Sequence, residues 1–93
     1  MEMVLLDFYA TWCEPCKWSE PVIESVMTEL NGLVRLEKVD IDQQPERAKN
    51  HAVLSVPTFI LIDGGREVWR MNGFDTSSKM VAAIREAINK QNA

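Results

Sequence analysis

The sequence predicts an α/β fold: a four-stranded mixed sheet flanked by three helices, in the order β-α-β-α-β-β-α. Three observations carry this. Residues 4–10 and 58–62 are apolar stretches without alternation, the pattern of strands covered on both faces. Residues 15–31 repeat their apolar positions at spacings near 3.6, the period of a helix packed on one side. Asp63-Gly64-Gly65-Arg66 is a hairpin turn, because glycine adopts positive φ without steric cost.

The first strand holds Val4, Leu5, Leu6, Phe8, Tyr9 and Ala10, with Asp7 as its single polar residue. In the helix that follows, Trp18, Val22, Ile23, Val26, Met27 and Leu30 share one face. Glu20, Glu24, Thr28 and Glu29 take the other. Pro15 suits a helix's first turn and Gly32 its end. Pro21 lacks an N–H and crowds the carbonyl four residues back, so a kink is expected there. Residues 34–41 form the second strand. Asp42-Gln43-Gln44-Pro45 opens a short second helix that runs to Asn50. Residues 58–62 are the third strand, and residues 67–71 pair back across the turn as the fourth. Gly73 breaks that strand. Asp75, Thr76 or Ser77 caps the last helix, whose buried stripe is Met80, Ile84, Ala87 and Ile88. The opening strand–helix–strand unit implies a parallel pair with a right-handed crossover. The terminal hairpin adds antiparallel strands.

A chain of 93 residues fits one domain. Its 46% hydrophobic and 26% charged residues suit a soluble protein with an ordinary core. The formal net charge of −4 disfavours nucleic acid and anionic membrane surfaces, which reward cationic proteins. Charge is uneven: ten acidic and three basic residues lie up to Glu46, four and seven after it. This reads as a solvated surface, or as a polarity that orients partners. No apolar run approaches the roughly 18 residues that span a bilayer. The start, Met1-Glu2-Met3-Val4, lacks the basic region of a signal peptide, so a cytoplasmic location is expected.

Two cysteines, Cys13 and Cys16, are too few for a secreted disulfide framework or a closed zinc site. No metal is expected. The pair lies between the first strand and the first helix, within Trp12-Cys13-Glu14-Pro15-Cys16-Lys17. Cα atoms three apart in a helical turn are about 5–6 Å apart, within disulfide range. Cys13 sits at the helix N-terminus, where free N–H groups and the helix dipole stabilise a thiolate. That makes Cys13 the attacking thiol. Cys16, one turn in, is the resolving thiol that attacks a mixed disulfide. Pro15 restricts the loop around them. Structural cysteines, or half of a metal site shared between chains, are the competing readings. The strand-to-helix context favours redox chemistry.

Asp7 lies six residues before Cys13 in an apolar strand. Burial should raise its pKa. It is read as the proton acceptor for Cys16, or as a carboxylate satisfied by hydrogen bonds or by Lys38. Pro57, in Val56-Pro57-Thr58, must lie at a strand end because it cannot donate to the sheet. By sequence alone a cis bond there is the minority expectation. His51 reads as a surface or helix-end residue. Trp18, Trp69 and the five methionines read as packing residues.

These motifs together resemble the thioredoxin family: Trp-Cys-x-Pro-Cys-Lys, the acid six residues before, the helix proline five after, and Val-Pro-Thr before the third strand. Asp40-Ile41-Asp42-Gln43 and Gly64-Gly65 agree, and the likeness spans about residues 4–88. The resemblance implies a minimal thioredoxin fold and a protein-disulfide reductase. It implies that Cys13 is the nucleophile and Cys16 resolves. Asp7 and Lys38 match the family's buried acid and its lysine neighbour. Pro57 matches the cis-proline that faces the disulfide and aligns substrate. Trp12, Ile41, Val56, Gly73 and Phe74 match the shallow apolar groove. It also implies no bound cofactor, disulfide-containing proteins as substrates, a flavin-dependent, NADPH-driven thioredoxin reductase as electron source, and a monomer.

Three departures stand out. Glu14 occupies the usual glycine position and should oppose thiolate formation at Cys13, while Lys17 should favour it. The chain begins at the first core strand, without the family's extra N-terminal strand and helix, which leaves residues 34–41 as an open edge. Tyr9 and Phe74 replace a tryptophan and a small residue, and Phe74 should enlarge the apolar rim. Besides general disulfide reduction, the sequence allows a dedicated electron carrier for one partner, such as a peroxidase, or a binding module whose cysteines are incidental. Trp12, Pro57 and Asp7 together argue against the last.

Overall fold

Alternation along the first strand decides which residues meet which helix. In the computed structural model, which describes residues 2–92, that strand is β1 (Met3–Tyr9). It is followed by α1 (Glu14–Leu30), β2 (Arg35–Asp40), α2 (Pro45–Asn50), β3 (Thr58–Asp63), β4 (Arg66–Asn72) and α3 (Ser77–Asn92). Met1, part of the leader argument and one of the five methionines, lies outside the described residues. The sheet order is β2-β1-β3-β4. β1 runs parallel to β2 and antiparallel to β3, and β3 and β4 form the hairpin. The expected element order and mixed sheet are therefore present, with β2 at one edge among the described residues.

Successive side chains of a strand point to opposite faces. Leu5 points to the larger core, with Ile23, Val26 and Leu30 of α1, Phe59 and Leu61 of β3, and Met80 and Ile84 of α3. Leu6 and Phe8 point to the smaller core, with Val39, Ile60 and Ala48 of α2. Asp7 shares its parity with Leu5, so it lies on the α1 face. The register sets it between Lys38 of β2 and Phe59 of β3.

The helix boundaries agree with the sequence within a residue or so, but one face does not. The buried stripe of α1 is Cys16, Ser19, Ile23, Val26 and Leu30, and Trp18 is 62% exposed. Trp18 is therefore not a packing residue. The stripe takes its phase from Cys16, which must lie under the active-site loop, and this turns position 18 outward. Ser19 is buried instead, and its hydroxyl donates to the Cys16 carbonyl at 2.8 Å. Trp69, Met3, Met27 and Met71 do pack against the larger core, and Met80 is fully buried in it.

α1 runs unbroken through exposed Pro21 and closes at Asn31, not at Gly32. Asn31 takes the left-handed conformation at φ 43°, which its short amide tolerates better than most side chains. The last turn of α1 has no basic residue of its own. Arg85 of α3 supplies one, donating to the Glu29 carbonyl at 2.9 Å. Thr76 caps α3, its hydroxyl accepting from the Lys79 N–H at 3.3 Å. His51 ends α2 half-buried, its ring 5.7 Å from that of Phe8.

Candidate active site

The loop after β1 delivers Cys13 to the first position of α1 as its N-cap. Its backbone is extended, at φ −91° and ψ 109°, and its N–H donates to the Ala10 carbonyl at 3.2 Å. The Cys13 sulfur accepts the N–H of Cys16 at 3.2 Å, filling the role a serine or aspartate oxygen usually plays. Cys13 and Cys16 form a disulfide, with Cα atoms 5.3 Å apart. Both are buried, at 4% and 5% exposure. Once the disulfide is reduced, a negative charge on the Cys13 sulfur faces an aligned N–H and the positive helix end. Both lower the free energy of the thiolate.

The rest of the rim comes from three further segments. The Val56–Pro57 bond is cis, and the Val56 carbonyl oxygen lies 3.7 Å from the Cys13 sulfur. The Gly73 N–H donates to the Pro57 carbonyl at 2.7 Å, tying the end of β4 to this loop. Gly73 sits at φ 86°, a conformation that glycine takes without strain. Ala10, Tyr9, Ile41 and Val56 pack with the two cysteines. Trp12 stands 65% exposed beside them, and its indole N–H donates to Asp42 at 2.8 Å. Asp42 is itself held by its N–H donating to Asp40 at 2.9 Å. Phe74 differs from the sequence expectation. It is half-buried against the larger core and does not join the cluster around the cysteines. Its ring packs with the apolar residues of that core.

On β1, two residues before the Tyr9 that packs with the cysteines, Asp7 is 5% exposed and its pKa is raised from 3.8 to about 6. Burial is the main cause, Lys38 opposes it, and Glu20 adds to it. Lys38 is exposed, and its ammonium sits 4.8 Å from the centre of the Tyr9 ring, a cation–π contact. It is a cross-strand neighbour of Asp7 and acts on it through space. A cleft of about 470 Å³ opens from Asp7 to solvent, with Glu20 and Glu24 of α1 and Leu36 and Lys38 of β2 in its walls. Above the disulfide, Glu14 and Lys17 form an exposed ion pair at 3.2 Å. The two charges expected to act oppositely on Cys13 therefore largely cancel each other.

Sequence reasoning missed Glu20 and Asp42. Glu20 stands on the solvent face, as the sequence predicts, but its place in the cleft shared with Asp7 is not legible there, because that cleft forms only when α1 packs beside β2. Asp42 enters the sequence reading through the helix-opening turn and the Asp40-Ile41-Asp42-Gln43 motif, while its bond to Trp12 spans 30 residues and has no local signal.

A cis-proline loop facing a cysteine pair at a helix N-cap, with a buried acid beneath, agrees with the family comparison. The thioredoxin family model matches residues 1–86. The chain belongs to the thioredoxin family. It is similar to the thioredoxin of Chlamydia trachomatis, with 43% identity over 82 residues, covering 88% of this chain and 79% of that protein. It is also 37% identical over 89 residues to the bifunctional thioredoxin reductase/thioredoxin of Mycobacterium leprae. That match covers 96% of this chain but only 19% of the longer protein. Among solved structures, oxidised mitochondrial thioredoxin 3 from Saccharomyces cerevisiae superposes with a TM-score of 0.82 at 32% identity. The match covers 91% of this chain and 78% of that one. As a thioredoxin-family protein with its Cys13–Cys16 pair in place, the chain is a thiol–disulfide oxidoreductase.

Proposed function

We propose that this chain works as a reductant of protein disulfides. The observation that carries this is the N–H of Cys16 aimed at the Cys13 sulfur at the helix start, which favours the reduced, thiolate form. The Cys13 thiolate attacks one sulfur of the substrate disulfide, and the other leaves as a thiolate. Cys16 then gives its proton to Asp7 and attacks the Cys13 sulfur. The second substrate thiolate leaves, and two electrons have passed from the pair to the substrate. The substrate chain lies along Trp12, Ile41, Val56, Pro57 and Gly73. The backbone of half-buried Val56, before the cis bond to buried Pro57, aligns the substrate backbone, and Trp12, fixed by Asp42, forms one wall.

Electrons return from a flavin-dependent, NADPH-driven thioredoxin reductase. The Mycobacterium leprae relative, whose name joins a reductase and a thioredoxin in one protein, supports that pairing. A reducing compartment such as the cytoplasm suits a chain whose two cysteines both serve the redox pair.

Equilibration in graded thiol–disulfide buffers tests the direction. A strongly reducing Cys13–Cys16 potential is expected. A markedly oxidising one overturns the assignment and makes the chain an oxidant or isomerase. Insulin reduction adds the range of action: brisk turnover fits a general reductant, and none fits a carrier dedicated to one partner.

A further inference from the structure

Glu20 has no part in the chemistry described so far, yet its position connects that chemistry to solvent. It lies four residues after Cys16, on the same side of α1 one turn further on. Helical side chains lean toward the N-terminus, so Glu20 covers the turn that carries Cys16. It is exposed, and it shares with buried Asp7 the walls of the cleft between α1 and β2. The other charged groups there are Glu24 of α1 and Lys38 of β2. From β3 the residue opposite Asp7 is Phe59, which carries no charge. Ile23, Met27 and Leu36 are apolar, and the Thr28 hydroxyl is spent on the Glu24 carbonyl at 3.0 Å, so the carboxylates are the titratable groups along the α1 wall.

We propose that Glu20 is a positioning residue for proton transfer, the outer carboxylate of a route Cys16–Asp7–Glu20–solvent. The proposal rests on Asp7 as the acceptor of the Cys16 proton and extends that reading outward. In each turnover the Cys16 S–H bond breaks and Asp7 takes the proton. While the pair is oxidised the proton passes from Asp7 to solvent, and on re-reduction the Cys16 thiolate takes a proton back along the same route. Glu20 accepts the outgoing proton, directly or through a water in the cleft, and releases it to solvent. The carboxylate of Glu20 also raises the proton affinity of Asp7, which keeps Asp7 a competent base near neutral pH.

The test compares the pH dependence of insulin reduction by the full chain and by Glu20→Gln, Glu20→Asp, Glu24→Gln and Asp7→Asn, in dilute and concentrated imidazole buffer. For Glu20→Gln the inflection assigned to Asp7 should move to lower pH. Turnover in dilute buffer should fall several-fold and recover in concentrated imidazole, which replaces the relay. Glu20→Asp should restore most of both. Glu24→Gln should leave the inflection where it is. If Asp7→Asn removes the inflection but Glu20→Gln leaves it unmoved, or moves it no more than Glu24→Gln, the Glu20 route is wrong. If Asp7→Asn itself leaves the profile unchanged, the Asp7 reading falls, and the route falls with it. All variants are exposed-site or near-isosteric changes, and unfolding curves verify that they fold.

Discussion

Replacing Asp7 by asparagine should stabilise the protein at alkaline pH and leave its stability nearly unchanged in acid. Asp7 is 5% exposed, and its pKa is raised from 3.8 to about 6. The unfolded chain therefore ionises this group more easily than the folded one does. Between these two values the folded state holds a proton that the unfolded state has lost, so stability falls as pH rises. Below the unfolded value the penalty is absent, and above the folded value it is complete. The difference of about 2.2 units between the values of 3.8 and about 6, at about 1.36 kcal/mol per unit, gives a penalty of roughly 3 kcal/mol. Asparagine keeps the shape and removes the charge. The oxidised variant should thus exceed the wild type by up to roughly 3 kcal/mol at pH near 8, which for a domain of this size is a rise in Tm on the order of 10–20 °C. Denaturant unfolding of both oxidised proteins across the pH range reads the difference directly. A gain that is independent of pH, or a loss at pH near 8, would refute the reasoning, because a buried charge is its sole source. The same variant should reduce disulfides more slowly near neutral pH, where Asp7 is the base. Stability and activity then move in opposite directions at one residue.

Three further outcomes follow from the site and the core. Cys16→Ser should trap a mixed disulfide between Cys13 and a substrate, visible as an added mass that a thiol reductant removes, and Cys13→Ser should trap none. Glu14→Gly removes the opposing carboxylate and frees Lys17 from its 3.2 Å ion pair. The Cys13 thiolate should then form at lower pH, read from ultraviolet thiolate absorbance, with an effect that shrinks in salt because both groups are exposed. An unchanged or higher titration means that screening had already removed the influence of Glu14. Leu30→Ala, at a fully buried residue of α1, should cost about 2–5 kcal/mol in denaturant unfolding while leaving the redox potential in place. A shift in potential of similar size would mean that the core and the disulfide are coupled through α1.

Most of the fold and the whole redox pair were legible in the sequence. The apolar run of β1, the 3.6 spacing of α1 and the Gly64-Gly65 turn follow from local sterics and burial, so the chain order of elements could be read directly. The Cys13–Cys16 spacing and its place at a strand–helix junction dictate a disulfide within one helical turn. Tertiary structure alone decided the rest. The phase of α1 depends on which side packs on the sheet, and this buried Ser19, exposed Trp18 and turned Glu20 toward Asp7. The inward placement of Phe74 depends on the larger core it packs against. The bond from Trp12 to Asp42 and the contact of Lys38 with the Tyr9 ring join segments far apart in sequence. The Val56–Pro57 bond is cis, which the local sequence makes the minority expectation. Local sequence determined which residues carry the chemistry. Packing determined what surrounds them, because burial and long-range contacts arise only when distant segments share one core.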